Sequence, residues 1–338
     1  MDLLEKLIAT PGVSGNEDKV RDLIKKEIEK YVDDISVDKL GNLIAHKKGS
    51  HPRVMLASHM DEVGLMIRSI THDGRILISV IGGVDPVMLL GERVHIETKK
   101  GIIHGVITTK DVNDGEIVSK IPRTEDLFVD TGLTKKQLEK IEVEIGAFLA
   151  FERDLYFLGS NRIICGKAFD DRIGCYILIE LAKRLRKIKN EMFYVFTIQE
   201  EIGLVGAITS TYKVKPDWAI AVDTAETCET TGEVTKTIGA GPCITIKDAE
   251  TIGNKTINKW LIDTAKKHKI KIQRDVTDVG MTDAATISIT GEGVPCTVVC
   301  VPIRNLHTAT SVAHKDDIEN AIKLLEELFK KVPDGKLF

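Results

Sequence analysis

A chain of 338 residues, 43% hydrophobic and 29% charged, has the make-up of an ordinary globular protein, with room for one large α/β domain or two smaller ones. Its net charge of -4, without any basic block, argues against nucleic acid and membrane surfaces as partners. Charges run through MDLLEKLIATPGVSGNEDKV at the start, and no stretch approaches the roughly 18 apolar residues of a membrane span, so a cytoplasmic location is expected.

Two helices open the chain. Ser14 and Glu17 form a capping-box pattern for the second, in which Val20, Leu23, Ile24, Ile28 and Val32 recur at helical spacing. RVMLAS then reads as a strand running into His59 and Asp61. From residue 67 to 161 the texture changes: segments such as GRILISVIGG and GERVHIETKKGIIHGVI alternate and turn at glycines, which predicts an inserted β-rich domain. KAFDDRIGCYILIELAKRL follows, a helix over Arg172 to Leu185 with Asp170 and Asp171 at its entrance. MFYVFTIQ predicts a strand ending at Glu200 and Glu201, with a helix beginning near Gly203. DWAIAV predicts another ending at Asp223, and CTVVCVP a third, before the loop that carries His307. Helices are expected at Lys255 to Lys267 and at the end of the chain, where Asp316 and Asp317 suit a helix dipole.

Continuous apolar runs of strand length are the pattern of strands buried on both faces. The predicted fold is therefore α/β, a mainly parallel sheet flanked by helices. Residues 1–66 and 162–338 form this discontinuous domain, and 67–161 the insertion. Six cysteines (Cys165, Cys175, Cys228, Cys243, Cys296 and Cys300) are scattered without a CxxC pair, so reduced buried thiols are expected rather than a zinc ribbon.

Ligands of open α/β sheets bind beyond the carboxyl ends of the strands. His59 and Asp61, Glu200 and Glu201, Asp223 and His307 all fall at such ends, with Asp170 and Asp171 at a helix entrance. Each has a plain structural alternative. The histidines could be satisfied in loops, the aspartates could cap a helix, and the paired glutamates could suit a helix dipole. Gathered in one pocket, however, so many carboxylates repel unless a cation compensates them, and a pair of divalent metals would. Mixed histidine and carboxylate ligation suits zinc, with cobalt or manganese as alternatives.

In this order, ASHMDEVGLM, the insertion, GKAFDDRIG, TIQEEIGLVGA, AVDTAE and PIRNLHT resemble the M42 family of metallo-aminopeptidases, which includes the tetrahedral TET enzymes. Relatives in it have sometimes been labelled endoglucanases or deblocking aminopeptidases. The resemblance implies that Asp170 bridges two metals, that His59 and Asp223 complete one and Glu201 and His307 the other, and that Glu200 is the general base. Asp61 would orient His59, and the peptide bond after Asp170 would be cis. It further implies peptide substrates and a homo-oligomer, a dodecamer in family cases, assembled through the insertion. GMTDAATIS resembles the family's pocket-lining turn, although Thr282 or Asp283 could equally cap a helix. One departure stands out: Ser311 occupies a position where many relatives carry glutamate. A di-metal deacylase or carboxypeptidase would use the same ligands. A glycosidase would leave His59 and His307 without a role, and a non-catalytic metal protein has no need of Glu200.

Overall fold

The computed structural model describes residues 2–118, 120–227, 229 and 236–331. Cys228 therefore lies outside the described residues, and the other five cysteines are free and buried.

An eleven-stranded mixed sheet organises the α/β part. Its spine is four parallel strands in the spatial order Asn190–Thr197, Ser50–His59, Trp218–Glu226 and Cys296–Arg304. These correspond to the four apolar runs of the sequence, and they are buried on both faces because helices cover both. The flanks depart from the expected mainly parallel sheet. Leu43–Lys47 joins one side antiparallel, and Ser311–His314 folds back antiparallel on Cys296–Arg304 at the other. The link from Arg304 to Ser311 is too short for a helical crossover, which parallel neighbours require.

Helix Phe169–Arg184 lies against the spine and buries Ile173, Ile177 and Leu181 there. The final helix Lys315–Lys330 packs beside it and buries Leu325 and Phe329. Trp218 anchors this side, with its ring 5.7 Å from Trp260 and 5.9 Å from Phe329. Side chains of this size each contribute roughly 1.5–3 kcal/mol on burial.

Strands Gly64–Ile70, Ile76–Ile81, Arg93–Thr98, Gly101–Thr109, Leu127–Asp130 and Phe148–Phe151 close into an antiparallel barrel. Alternate residues such as Leu65 and Ile67, Ile76 and Ile78, and Val94 and Ile96 fill its interior. Closure leaves no free edge among these strands. The chain leaves the sheet after His59 and returns through Tyr156–Phe157 and Ile163–Gly166, just before Asp170. The barrel thus sits between two predicted site residues in the sequence.

The expected capping box does not form. The second helix is Asp18–Ile28, and its N-cap Glu17 makes no side-chain cap bond. Ser14 Oγ instead donates to Asp61 Oδ2 at 2.5 Å, while Glu17 Oε1 accepts from the backbone N–H of Gly15 and of Gln199. Both side chains are drawn into the strand-end turns, where buried polar groups need partners more than a solvated helix end does. The helix after Glu201 begins at Val205.

Candidate active site

The spine delivers its polar residues at one end. His59 closes its strand, and Asp223 projects from within Trp218–Glu226. Glu200 and Glu201 occupy the turn after Asn190–Thr197, and His307 lies in the loop after Cys296–Arg304. Asp170 sits in the first turn of Phe169–Arg184, where Asp170 and Asp171 have non-helical backbone angles and the bond between them is cis. Three of these turns contain non-glycine residues in the left-handed region: Ala168 (φ 52), Gln199 (φ 53) and His307 itself (φ 57). Such backbone is sparsely populated and clusters at sites held in place by their surroundings.

Asp170 lies at the centre. Its Oδ1 is 3.1 Å from His59 Nε2, and its Oδ2 is 3.2 Å from His307 Nε2. Asp223 Oδ1 is 3.8 Å from His59 Nε2, and Glu201 Oε2 is 3.2 Å from His307 Nε2. Two sets of donor atoms result, His59–Asp170–Asp223 and Asp170–Glu201–His307, each lying within 4.8 Å of one another and sharing Asp170. Glu200 belongs to neither set, and its Oε2 is 4.0 Å from His59 Nε2.

The outer nitrogen of each ring is occupied. His59 Nδ1 lies 3.2 Å from the Asp61 carbonyl and 3.4 Å from its carboxylate, and His307 Nδ1 lies 3.2 Å from the Gly83 carbonyl. With the proton on Nδ1, both Nε2 lone pairs face Asp170, the tautomer a ligating imidazole needs. Asp61 does more than was expected of it. Its two oxygens also accept the backbone N–H of Glu200 and of Glu201, both at 3.1 Å. It thereby fixes the direction in which the adjacent glutamates point.

Burial pushes the Glu201 carboxyl up to about 8, with Asp170 adding repulsion. Burial likewise raises Glu200 and Asp223 well above the usual carboxylate range, opposed by His59 and reinforced by neighbouring acids. Asp170, despite its burial, is held low by the two imidazoles. Among the described residues Glu201 Oε1 is buried without a hydrogen-bond partner. Carboxylates this crowded, with an orphaned oxygen and two imidazole lone pairs converging, fit divalent cations with mixed nitrogen and oxygen ligation.

Asp171 stands apart, buried and accepting from Ser58 Oγ at 2.6 Å and Gly174 N at 2.9 Å, so it caps its own helix from within. Asp283 precedes a short helix without capping it and instead accepts the Thr197 hydroxyl. Gly280, Met281 and Thr282 line a cavity of about 410 Å3 that opens onto His59, Asp170 and Glu200. Sequence reasoning missed the Gly83 carbonyl, a backbone group that leaves no residue-type signal. It also missed the cavity's far end, described below.

Comparison with known proteins points to one family. Residues 41–324 match the family model of the M42 glutamyl aminopeptidases. The chain is 37% identical to a putative aminopeptidase of Acetivibrio thermocellus, over 96% of this chain and 97% of that one. It is 33% identical to the lysyl aminopeptidase of Pyrococcus furiosus, over 98% and 97% of the two chains. Its fold superposes on the TET1 peptidase of Pyrococcus horikoshii, which assembles into a tetrahedron or a large octahedral shell. That superposition has a TM-score of 0.89 at 32% identity and covers 98% of this chain and 99% of the other.

Proposed function

The chain belongs to the M42 peptidase family and is an aminopeptidase, and from that premise we propose that it cleaves N-terminal residues with the help of two divalent cations. His59, Asp170 and Asp223 would hold one ion, and Asp170, Glu201 and His307 the other. Zinc suits these donors best, with cobalt or manganese able to replace it. When bound, such a pair polarises the substrate carbonyl and lowers the pKa of a water molecule.

The residues of the chain do the rest. Glu200 lies beside both donor sets without joining either, so its carboxylate is placed to take the proton of the attacking water and pass it to the leaving amine. Asp61 keeps His59 in the required tautomer and holds the Glu200–Glu201 turn. The observation that carries this reading is the division of Asp170 between the two imidazoles with Glu200 left outside.

The pairing of His59 and His307 with the carboxylates favours this over a glycosidase, and a di-metal deacylase or carboxypeptidase is its nearest rival. Stripping the metals and restoring zinc, cobalt or manganese singly, on aminoacyl and N-acyl chromogenic substrates, separates them. Activity should vanish in chelator and return on free-amine substrates. Cleavage of blocked substrates alone, or full activity in strong chelator, would overturn the proposal.

We further infer that the domain of residues 67–161, built around the barrel, joins copies of the chain into a homo-oligomer, a dodecamer in the simplest case. The dodecamer and the tetrahedral or octahedral shells of the similar TET1 peptidase support a homo-oligomer. Among the described residues no helix is long and apolar enough to cross a membrane. The five free buried thiols suit the reducing cytoplasm.

A further inference from the structure

The cavity extends sideways from the donor sets across the sheet. Asp223 pairs with Cys300 on the next strand, Cys300 pairs with Cys243 on the strand beyond, and Thr245 of that strand pairs with Asp275. Cys300, Thr245 and Asp275 all line the cavity. Strands lie about 4.8 Å apart, which places Asp275 roughly 14 Å across the sheet from Asp223. A substrate whose carbonyl lies at the donor sets would direct a long first side chain along this floor.

The far end holds more negative than positive charge. Lys236 Nζ donates to Asp275 Oδ2 at 2.6 Å, and both residues are buried, at 6% and 2% exposure. That ammonium balances the charge of Asp275 and leaves Asp248 as the excess. Asp248, at 5% exposure, accepts through Oδ1 from the backbone N–H of Glu250 at 2.9 Å and of Thr251 at 2.6 Å. Among the described residues its other oxygen, Oδ2, is buried with no partner, as is Asp275 Oδ1. Lys247, adjacent in the chain, donates to the Asp248 carbonyl at 3.1 Å, to Thr277 O and to Asp278 Oδ1, so its charge is set against that of Asp278.

We infer that the pocket for the substrate's first side chain selects a basic residue, lysine or arginine, whose cationic head pairs with Asp248 and Asp275. The inference rests on the aminopeptidase reading and names the substrate class of that site. An ammonium or guanidinium brings only donors to two orphaned acceptors. A carboxylate would add negative charge beside two aspartates and one lysine, and an apolar side chain would leave both oxygens unpaired. Val279 and Met281, exposed at 72% and 52%, also line the cavity and offer apolar surface to the methylene stem.

The test uses the full chain loaded with metal and the 4-nitroanilides of lysine, arginine, leucine and glutamate. Lysyl and arginyl substrates should exceed the leucyl one in kcat/KM by about tenfold or more, the scale of one charged hydrogen bond, and the glutamyl one by a wider margin. Asp248→Asn should lower the lysyl-to-leucyl ratio about tenfold. Asp275→Asn, which frees Lys236, should raise the glutamyl rate relative to the lysyl one. The leucyl rate on the same preparations shows that the variants are folded. Calorimetry on metal-loaded Glu200→Gln should find free lysine bound more tightly than leucine or glutamate. Preference for the leucyl or glutamyl substrate, or a ratio unmoved by Asp248→Asn, overturns the basic pocket. Cleavage of none of the four by the wild type overturns the aminopeptidase reading itself.

Discussion

Glu200 and Glu201 are neighbours in the chain but face different partners, because Asp61 accepts both backbone N–H groups and sets their side chains apart. Glu201 reaches His307, whereas Glu200 stays outside both donor sets. Glu200→Gln should therefore retain both metals while kcat falls about 10²- to 10⁴-fold, the usual worth of a general base. Metal content by mass spectrometry alongside turnover decides it, and near-normal turnover removes Glu200 from the mechanism. Asp61→Ala should act differently, weakening metal binding by about 10- to 100-fold through loss of the orienting partner of His59. Unchanged affinity in a chelator competition would show that Asp61 serves only the turn. The residues of both donor sets were legible in the sequence because each follows an apolar run or opens a helix, where side-chain chemistry and position coincide. Ser14 and Glu17 were misread because a capping box and a pair of buried turn supports use the same residue types. Lys236, Asp248 and Asp275 carry no local signal, since their meaning comes only from facing one cavity.

The turn that carries the paired glutamates is braced by an element with no chemistry of its own. Asn42 is fully buried at the start of the Leu43–Lys47 strand. Its Oδ1 accepts from Ile198 N at 3.0 Å, and its Nδ2 reaches Asp38 Oδ2, Gly206 O and Thr209 Oγ1. A Cβ added at Gly206 would meet Asn42 Oδ1 at 2.3 Å, so only glycine lets the helix start this close. Asn42→Ala should cost about 1–3 kcal/mol by orphaning these groups, read as a lowered urea midpoint. It should also reduce kcat, because Ile198 and Gln199 lead directly into Glu200. A stable variant with full turnover would place the rigidity of the turn elsewhere. At this scale the sequence revealed the buried spine and the principal helices, whose periodicity is strong. It did not reveal the antiparallel flanks. A short strand such as Leu43–Lys47 has too few residues for a pattern, and its partner Asn190–Thr197 is distant in the chain.

On the scale of the whole molecule, the sheet gathers negative charge at one rim, which the proposed cations would balance, so stability and metal binding would be linked. Removing the metals should lower the melting temperature, and the size of the loss should depend on pH with a definite sign. In the metal-free protein the Glu201 carboxyl lies at about 8, raised by burial. His307, despite burial, is raised to about 9 by Asp170 and Glu201. Both folded values exceed their unfolded ones of about 4.3 and 6.5, so between those limits the folded state binds more protons than the unfolded one. Stability must then fall as pH rises through the window. His59, raised by its acidic neighbours, and Glu200 and Asp223, raised by burial, contribute with the same sign. Asp170, held low, changes its protonation only below this window. Cations bound at the proposed site would replace those protons and flatten the dependence. Denaturant midpoints of chelated protein should accordingly drop between pH 6 and pH 8.5, with a much smaller change for metal-loaded protein. A chelated midpoint that rises with pH would mean that the rim is not held together by shared positive charge.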